Sequence, residues 1–219
     1  EKQLVSTALG SDKARVMTNG VDLHFFTPQD PVKRLTDAPT LVFTGVMDYW
    51  PNIEGVAWFA ESVLPRIRAA MPDTAFYVVG ARPTQEVRKL ERLPGVRITG
   101  FVEDIRDYIR EADVCVVPVR IARGIQNKVL EAMAMGQAVV TTAQALEGIK
   151  ARAGTEVIQA ENEPAFADAV IDLLRDKEKA ERLGQQARFR VEASYAWDNT
   201  LNLLDEICTI AQDKSTPIP

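Results

Sequence analysis

The chain has 219 residues, 46% of them hydrophobic and 26% charged, a balance that suits a globular fold with a substantial core and excludes disorder, collagen and coiled coil. Acidic residues outnumber basic ones, 31 to 26, for a net charge of -5, so affinity for nucleic acid or an anionic membrane has no support at whole-chain level. Two distant cysteines and a single histidine, His24, leave no zinc-ligand spacing and no room for a multi-histidine metal site.

Cys115 lies in an apolar run and reads as a buried free thiol, which fits a reducing, cytoplasmic setting. No apolar run approaches the roughly 18–20 residues that span a bilayer. The start, Glu1-Lys2-Gln3, has neither an initiator Met nor a signal-peptide core, so it reads as the middle of a longer protein.

Residues 1–39 lack a sustained period and carry turn formers, Asn19-Gly20, Pro28, Pro31 and Pro39, so they read as a linker with one short strand around Ala14–Met17. From Thr40 the pattern becomes regular. Leu41–Thr44 is an apolar strand ending at Gly45, and Pro51 then opens a helix whose apolar face runs from Ile53 to Leu64. Next come a strand at Ala75–Val79, a helix over Thr84–Arg92, a strand at Val96–Thr99 and a short helix from Asp104 to Ile109. A strand at Val114–Val117, a helix at Asn127–Met135, a strand at Ala138–Thr142 and a weaker one at Glu156–Ile158 follow. Three helical stretches, roughly 163–175, 177–193 and 197–211, close the chain.

Strands apolar throughout, each followed by a helix, imply a parallel sheet covered on both faces. The fold class is therefore α/β: a Rossmann-like, doubly wound parallel sheet of about six strands. Ligands of such sheets bind at the carboxyl ends of the strands, so the loops after Thr44, Val79, Thr99, Val117 and Thr142 are the places to look.

The first loop reads Gly45-Val46-Met47-Asp48-Tyr49-Trp50, with one glycine where a dinucleotide fingerprint needs three. No Gly-Lys-Ser/Thr phosphate loop and no Asp-x-Asp pair occurs, which argues against NAD, P-loop chemistry and a carboxylate-held divalent ion. Between Val114 and Leu130 the charged residues are Arg120, Arg123 and Lys128, all cations. That segment passes through Gly124-Ile125-Gln126-Asn127 into a helix, whose free N–H groups make an anion site. A solvated loop with scattered cations is the plain alternative. Glu131, one turn into the same helix, either points outward or accepts hydrogen bonds from a ribose diol beside the phosphates. Cations for a diphosphate and a carboxylate for a ribose suggest a sugar nucleotide. Asp48, Tyr49 and Trp50 face the presumed cleft, either as an acceptor-side platform or as ordinary packing. Of Trp58 and Phe59 at least one belongs to the core, and Trp197 packs the last helix.

The run from Gly124 to Val140, with Lys128-Val129-Leu130-Glu131-Ala132-Met133-Ala134 at its centre, resembles the donor-binding signature of family 4 retaining glycosyltransferases of the GT-B fold. Asn19-Gly20-Val21-Asp22, Asp48-Tyr49-Trp50-Pro51-Asn52, Gly100-Phe101-Val102-Glu103-Asp104 and Ser194-Tyr195-Ala196-Trp197 resemble other segments of that family in the same order. The details are most similar to sugar transferases associated with exopolysaccharide and exosortase gene clusters.

The resemblance implies the C-terminal half of a two-domain enzyme: a linker and the end of a preceding domain at 1–39, a nucleotide-sugar-binding domain at 40–196, and a returning helix and tail at 197–219. It implies that N–H groups of Ile125, Gln126 and Asn127 hold the donor diphosphate, that Glu131 holds the ribose and that the backbone at Phe101 and Val102 reads the base. Gly45, Gly124 and Arg120 are expected in the same donor site, and the charge that stabilises the leaving group is expected from Arg123 and Lys128, or from Arg120, a reading of these residues and not of the family pattern. Where the family has a second acid eight residues before Glu131, this chain has Arg123. Where it often has an Arg and a Lys in the first loop, Val46 and Pro51-Asn52 stand.

The implied partners are a nucleotide-sugar donor, an N-terminal acceptor-binding domain of the same polypeptide and a glycan or lipid-linked acceptor, with no cofactor, metal or nucleic acid. The location implied is cytoplasmic, peripheral to the inner membrane through the other domain. A nucleotide-binding module without transfer activity and half of a sugar-nucleotide epimerase are the alternatives. The fragment is expected to fold alone and to catalyse nothing alone, because a two-domain cleft needs both walls.

Overall fold

The computed structural model describes residues 17, 19–28, 36–198 and 201. Six strands form one parallel sheet: β1 Thr40–Thr44, β2 Ala75–Val79, β3 Val96–Gly100, β4 Val114–Val117, β5 Val139–Thr141 and β6 Ile158–Gln159. Their order is β3-β2-β1-β4-β5-β6. The reversal beside β1 is where such a sheet opens a crevice at its carboxyl edge. β1 runs in register with β2 from Thr40 opposite Ala75 to Thr44 opposite Val79. Every residue of β1, β4 and β5 is buried, the expected result for strands without polar alternation.

The helices are α1 Trp50–Trp58, α2 Leu64–Ala70, α3 Gln85–Lys89, α4 Arg106–Arg110, α5 Asn127–Ala134, α6 Ala143–Leu146, α7 Glu163–Arg175 and α8 Lys177–Ser194. The single helix expected from Pro51 onward is divided. Between α1 and α2 a π-helical turn, Phe59–Val63, lets the Leu64 N–H reach back to the Phe59 carbonyl. Pro65, just beyond it, has no N–H for the ordinary ladder and its ring crowds the preceding turn, so the helix widens there. The widening also seats Phe59 at the centre of an aromatic cluster, 4.6 Å from Phe76 and 5.6 Å from Phe166 between ring centroids. Both Trp58 and Phe59 are buried, and the Trp58 indole N–H donates to Glu163.

Elsewhere the differences lie at element ends. The short α6 was not foreseen: Thr142 opens it by accepting from the Ala145 N–H, a cap hidden at the end of an apolar run. β6 begins two residues later than its pattern indicated. The strand expected around Ala14–Met17 and most of the closing helix fall outside the described residues. Cys115 is buried, and burial pushes its thiol up to about 12, which leaves it inert as a nucleophile.

Residues 19–28 form a strap tied across the domain. Val21 donates to the Tyr195 carbonyl and pairs with Ala196 in a parallel bridge. The Phe25 carbonyl accepts from Arg106 and the Phe26 carbonyl from Arg188. Gly20 lies flat against Trp197: a Cβ there would sit 2.6 Å from the indole.

Candidate active site: a donor cleft

The carboxyl ends of β1, β2 and β3 and the start of α5 enclose a cleft of about 780 Å³, the size of a ligand pocket. Its floor is backbone. Gly45 donates to the Val79 carbonyl at 3.0 Å and Gly80 to that of Gly100 at 3.2 Å. A Cβ on Gly80 would lie 1.8 Å from the Gly45 oxygen, so only glycine permits this approach.

One wall is α5. Gln126 is its N-cap residue but supplies no side-chain cap, and the first turn has no acid. Lys128, in that turn, donates to Asn52 Oδ1 at 3.1 Å and to Gln126 Oε1 at 3.3 Å, and its Nζ lies 5.5 Å from the Phe43 ring centroid. These partners are neutral, so burial pulls its pKa down to about 8, against the pull of the Glu131 charge. Burial likewise raises the Glu131 carboxyl above its ordinary range, with Lys128 opposing. Among the described residues none donates a hydrogen bond to that carboxylate. Cation and acid thus face one cleft, each partly desolvated and neither closed by a protein partner of full charge at hydrogen-bond range.

The structure brings Gly45, Asp48, Tyr49, Phe101, Val102, Ile125, Gln126, Asn127, Lys128 and Glu131 to this cleft. It leaves Trp50, Arg120, Arg123 and Gly124 off its lining. Arg120 is turned elsewhere: its guanidinium binds Glu54, with Nε 3.0 Å from Oε1, and stacks 4.9 Å from the centre of Trp58. Arg123 stands exposed beside the cleft, and Trp50, at the first turn of α1, points to solvent. Gly124 contributes a left-handed backbone, φ 73°, with open space where a Cβ would be.

Asn52 and Arg82 are among the cleft residues that the sequence reading did not single out. Asn52 is 3% exposed; it donates to the Val46 carbonyl at 2.9 Å and so holds both the first loop and Lys128. Arg82 lines the cleft in a left-handed conformation, φ 56°, unusual outside glycine, and pairs with Asp48 at 2.9 Å. The signal for Arg82 was its position in a loop after a strand end, and for Asn52 its place in the first turn of the helix that follows β1. Among the described residues no three His, Cys, Asp or Glu side chains gather to hold a metal ion. Nor is any helix there long and apolar enough to cross a membrane.

Residues 38–176 match the family model described as glycosyl transferases group 1. The chain belongs to that family. It is 26% identical over 203 residues to the GDP-mannose-dependent monoacylated alpha-(1-6)-phosphatidylinositol monomannoside mannosyltransferase of Corynebacterium glutamicum, covering 83% of this chain and 52% of the relative. The chain thus spans about half the length of that curated relative. Among solved structures it resembles sucrose-phosphate synthase of Thermosynechococcus elongatus, with TM-score 0.75, 21% identity and coverage of 98% of this chain and 57% of that one. Anabaena HepE in complex with UDP and glucose gives 0.72 at 14% identity, covering 95% and 61%. The C-terminal domain of a group 1 glycosyl transferase, LpcC, from Francisella tularensis gives 0.62 at 20% identity, covering 81% of this chain and 99% of that domain. These likenesses show the GT-B glycosyltransferase fold for this Rossmann-like glycosyltransferase chain.

Proposed function

We propose that this chain is the donor-binding half of a retaining, family 4 hexosyltransferase that moves a sugar from a nucleotide-diphospho sugar to an acceptor hydroxyl, without a metal. One observation carries the reading: an uncapped helix start, the Lys128 ammonium and the Glu131 carboxylate line one cleft above a glycine floor. N–H groups of Ile125, Gln126 and Asn127 receive the diphosphate, and Lys128 balances the charge that grows on it as the bond to the sugar breaks. Glu131 accepts from the ribose hydroxyls, and the backbone at Phe101 and Val102 meets the base. The names of a GDP-mannose-dependent relative and of a neighbour bound to UDP support a nucleoside diphosphate as the recognised unit.

Residues 1–39 serve as linker from an acceptor-binding domain, 40–196 as the donor domain and 197–219 as the returning helix. The acceptor is a glycan or lipid-linked sugar of exopolysaccharide or cell-surface synthesis, handled in the cytoplasm at the inner membrane. Asp48 and Tyr49 lie on the acceptor side of the cleft. The fragment alone transfers nothing, since the acceptor has one wall of two.

Calorimetry with UDP and GDP, with and without a chelator, tests the reading. Binding is expected in both conditions. Glu131→Gln should weaken it by about 1–3 kcal/mol without loss of fold. Binding that needs a divalent ion, or a Glu131→Gln protein with full affinity and a lowered melting temperature, refutes it.

A further inference from the structure

Asn19 reaches the anion-binding helix from the strap. Its side-chain Nδ2 donates to Asn127 Oδ1 at 3.0 Å, across 108 positions of sequence. Asn127 is the first residue of α5 and lines the cleft. A carboxamide is planar, with acceptor and donor on opposite sides. With its oxygen taken by Asn19, the polar group Asn127 has left to offer is its amino group, two N–H donors. Reversed, the same side chain would present a carbonyl oxygen, which repels a phosphate.

The strap holds Asn19 in place. Val21, two residues on, is buried, hydrogen-bonded to the Tyr195 carbonyl and bridged to Ala196. The Asp22 carboxylate accepts from the N–H groups of His24 and Phe25, each at 2.9 Å, and fixes the turn that follows. Gly20 lets this backbone lie against Trp197. An exposed hydrogen bond between free loops would contribute little. Here the ties just after Asn19 hold one partner and the helix that starts at Asn127 holds the other, so less freedom is lost in forming the bond.

We propose that Asn19 is a positioning residue for the donor site: it fixes the carboxamide of Asn127 with its N–H donors available to the diphosphate. The inference rests on the donor-cleft reading above and adds a residue from outside the nucleotide-binding domain to that site. It also joins donor recognition to the segment leading in from the rest of the polypeptide.

The test uses the 219-residue chain, UDP and GDP, and the matching nucleosides, by calorimetry. Asn19→Ala is expected to weaken diphosphate binding about fivefold and nucleoside binding less than twofold. Asn19→Asp can only accept, so it draws the Asn127 amino group toward itself, turns the oxygen to the ligand, and should cost more than Asn19→Ala. A role confined to docking the strap predicts the opposite order, because Asp keeps the shape that Ala lacks. Asn19→Ala on an Asn127→Ala background should cost nothing further. Unchanged diphosphate affinity in both single variants, equal losses for nucleoside and diphosphate, or additive losses in the double variant overturn the proposal while the donor-cleft reading stands. Wild-type chain that binds neither diphosphate overturns both.

Discussion

Two kinds of helix start exist in this domain, and the contrast locates the chemistry. Thr84, Thr142, Asn162 and Asp176 cap α3, α6, α7 and α8 with a side-chain oxygen, and Asp104 accepts from Arg106 N–H at the head of α4. α1, α2 and α5 have no side-chain cap; α2 continues directly from the π-helical turn, whereas residues of the other two starts, Tyr49 with Asn52 and Gln126 with Asn127, line the cleft. An orphan N–H costs little where water or a ligand can supply the acceptor. Among the capped starts α3, α7 and α8 carry an acid in the first turn, Glu86, Glu163 and Glu178, the last between Lys177 and Lys179, and α6 carries none; α5 has Lys128 there and no acid. A cation there works against the helix dipole, an arrangement that an incoming anion turns into an advantage.

The harshest way to break the contrast is to take away the floor beneath the open starts. Gly80→Ala drives a methyl group into the Gly45 carbonyl, and should destabilise the fold by about 3 kcal/mol or more. Gly124→Ala faces open space, so only its left-handed φ of 73° resists, at about 1 kcal/mol. Thermal unfolding separates the two. Equal shifts would mean that the β1 and β2 loops do not touch as described.

A pH titration sharpens the contrast next. Lys128 loses its proton near pH 8 in the free chain because burial disfavours the charge. A bound diphosphate favours the charged form, so binding takes up a proton and affinity falls as pH rises through about 8, by up to about tenfold per unit of pKa restored. Folding stability has the opposite sign. The unfolded lysine keeps its proton up to the ordinary 10.5, so the cost of burying the charge is full below about 8 and is relieved as pH rises from there to 10.5. Lys128→Met should flatten both curves. Affinity independent of pH across that window in the parent chain would remove Lys128 from the phosphate site.

How far the sequence revealed this arrangement depended on which physical signal each part left. β1, β2 and β4 were found almost to the residue, because a strand buried on both faces is an uninterrupted apolar run ended by glycine or proline. α5 was found with its open start, since charge of one sign in an acidic chain is visible in the letters. What the letters could not show was direction. Arg120 and Lys128 looked alike, yet Glu54, 66 positions earlier, draws the first away, while the second finds only amides and a ring. Arg82 was missed for a related reason: its left-handed backbone and its pairing with Asp48 exist only once two loops meet. Asn19 entered the sequence reading as part of a resemblance, and its partner Asn127 as a backbone donor. Their side-chain bond is a product of the strap's path.

The gentlest perturbation exchanges the two kinds of helix start. Asn162→Ala removes an ordinary cap, whose oxygen lies 3.0 Å from the Ala165 N–H, and should cost about 1 kcal/mol of stability with no effect on UDP or GDP binding. Gln126→Asp does the reverse. It places a capping carboxylate where α5 has none, adding about 0.5–1 kcal/mol through the cap and the dipole. The same carboxylate occupies N–H groups assigned to the diphosphate and repels its charge, so affinity should drop severalfold as the melting temperature rises. Opposite movement of stability and affinity is what distinguishes a helix start kept open for a ligand from one merely left uncapped. If Gln126→Asp raised stability and left affinity unchanged, the α5 start would not be the anion site, and the cations beside it would be the solvated charges of an ordinary loop.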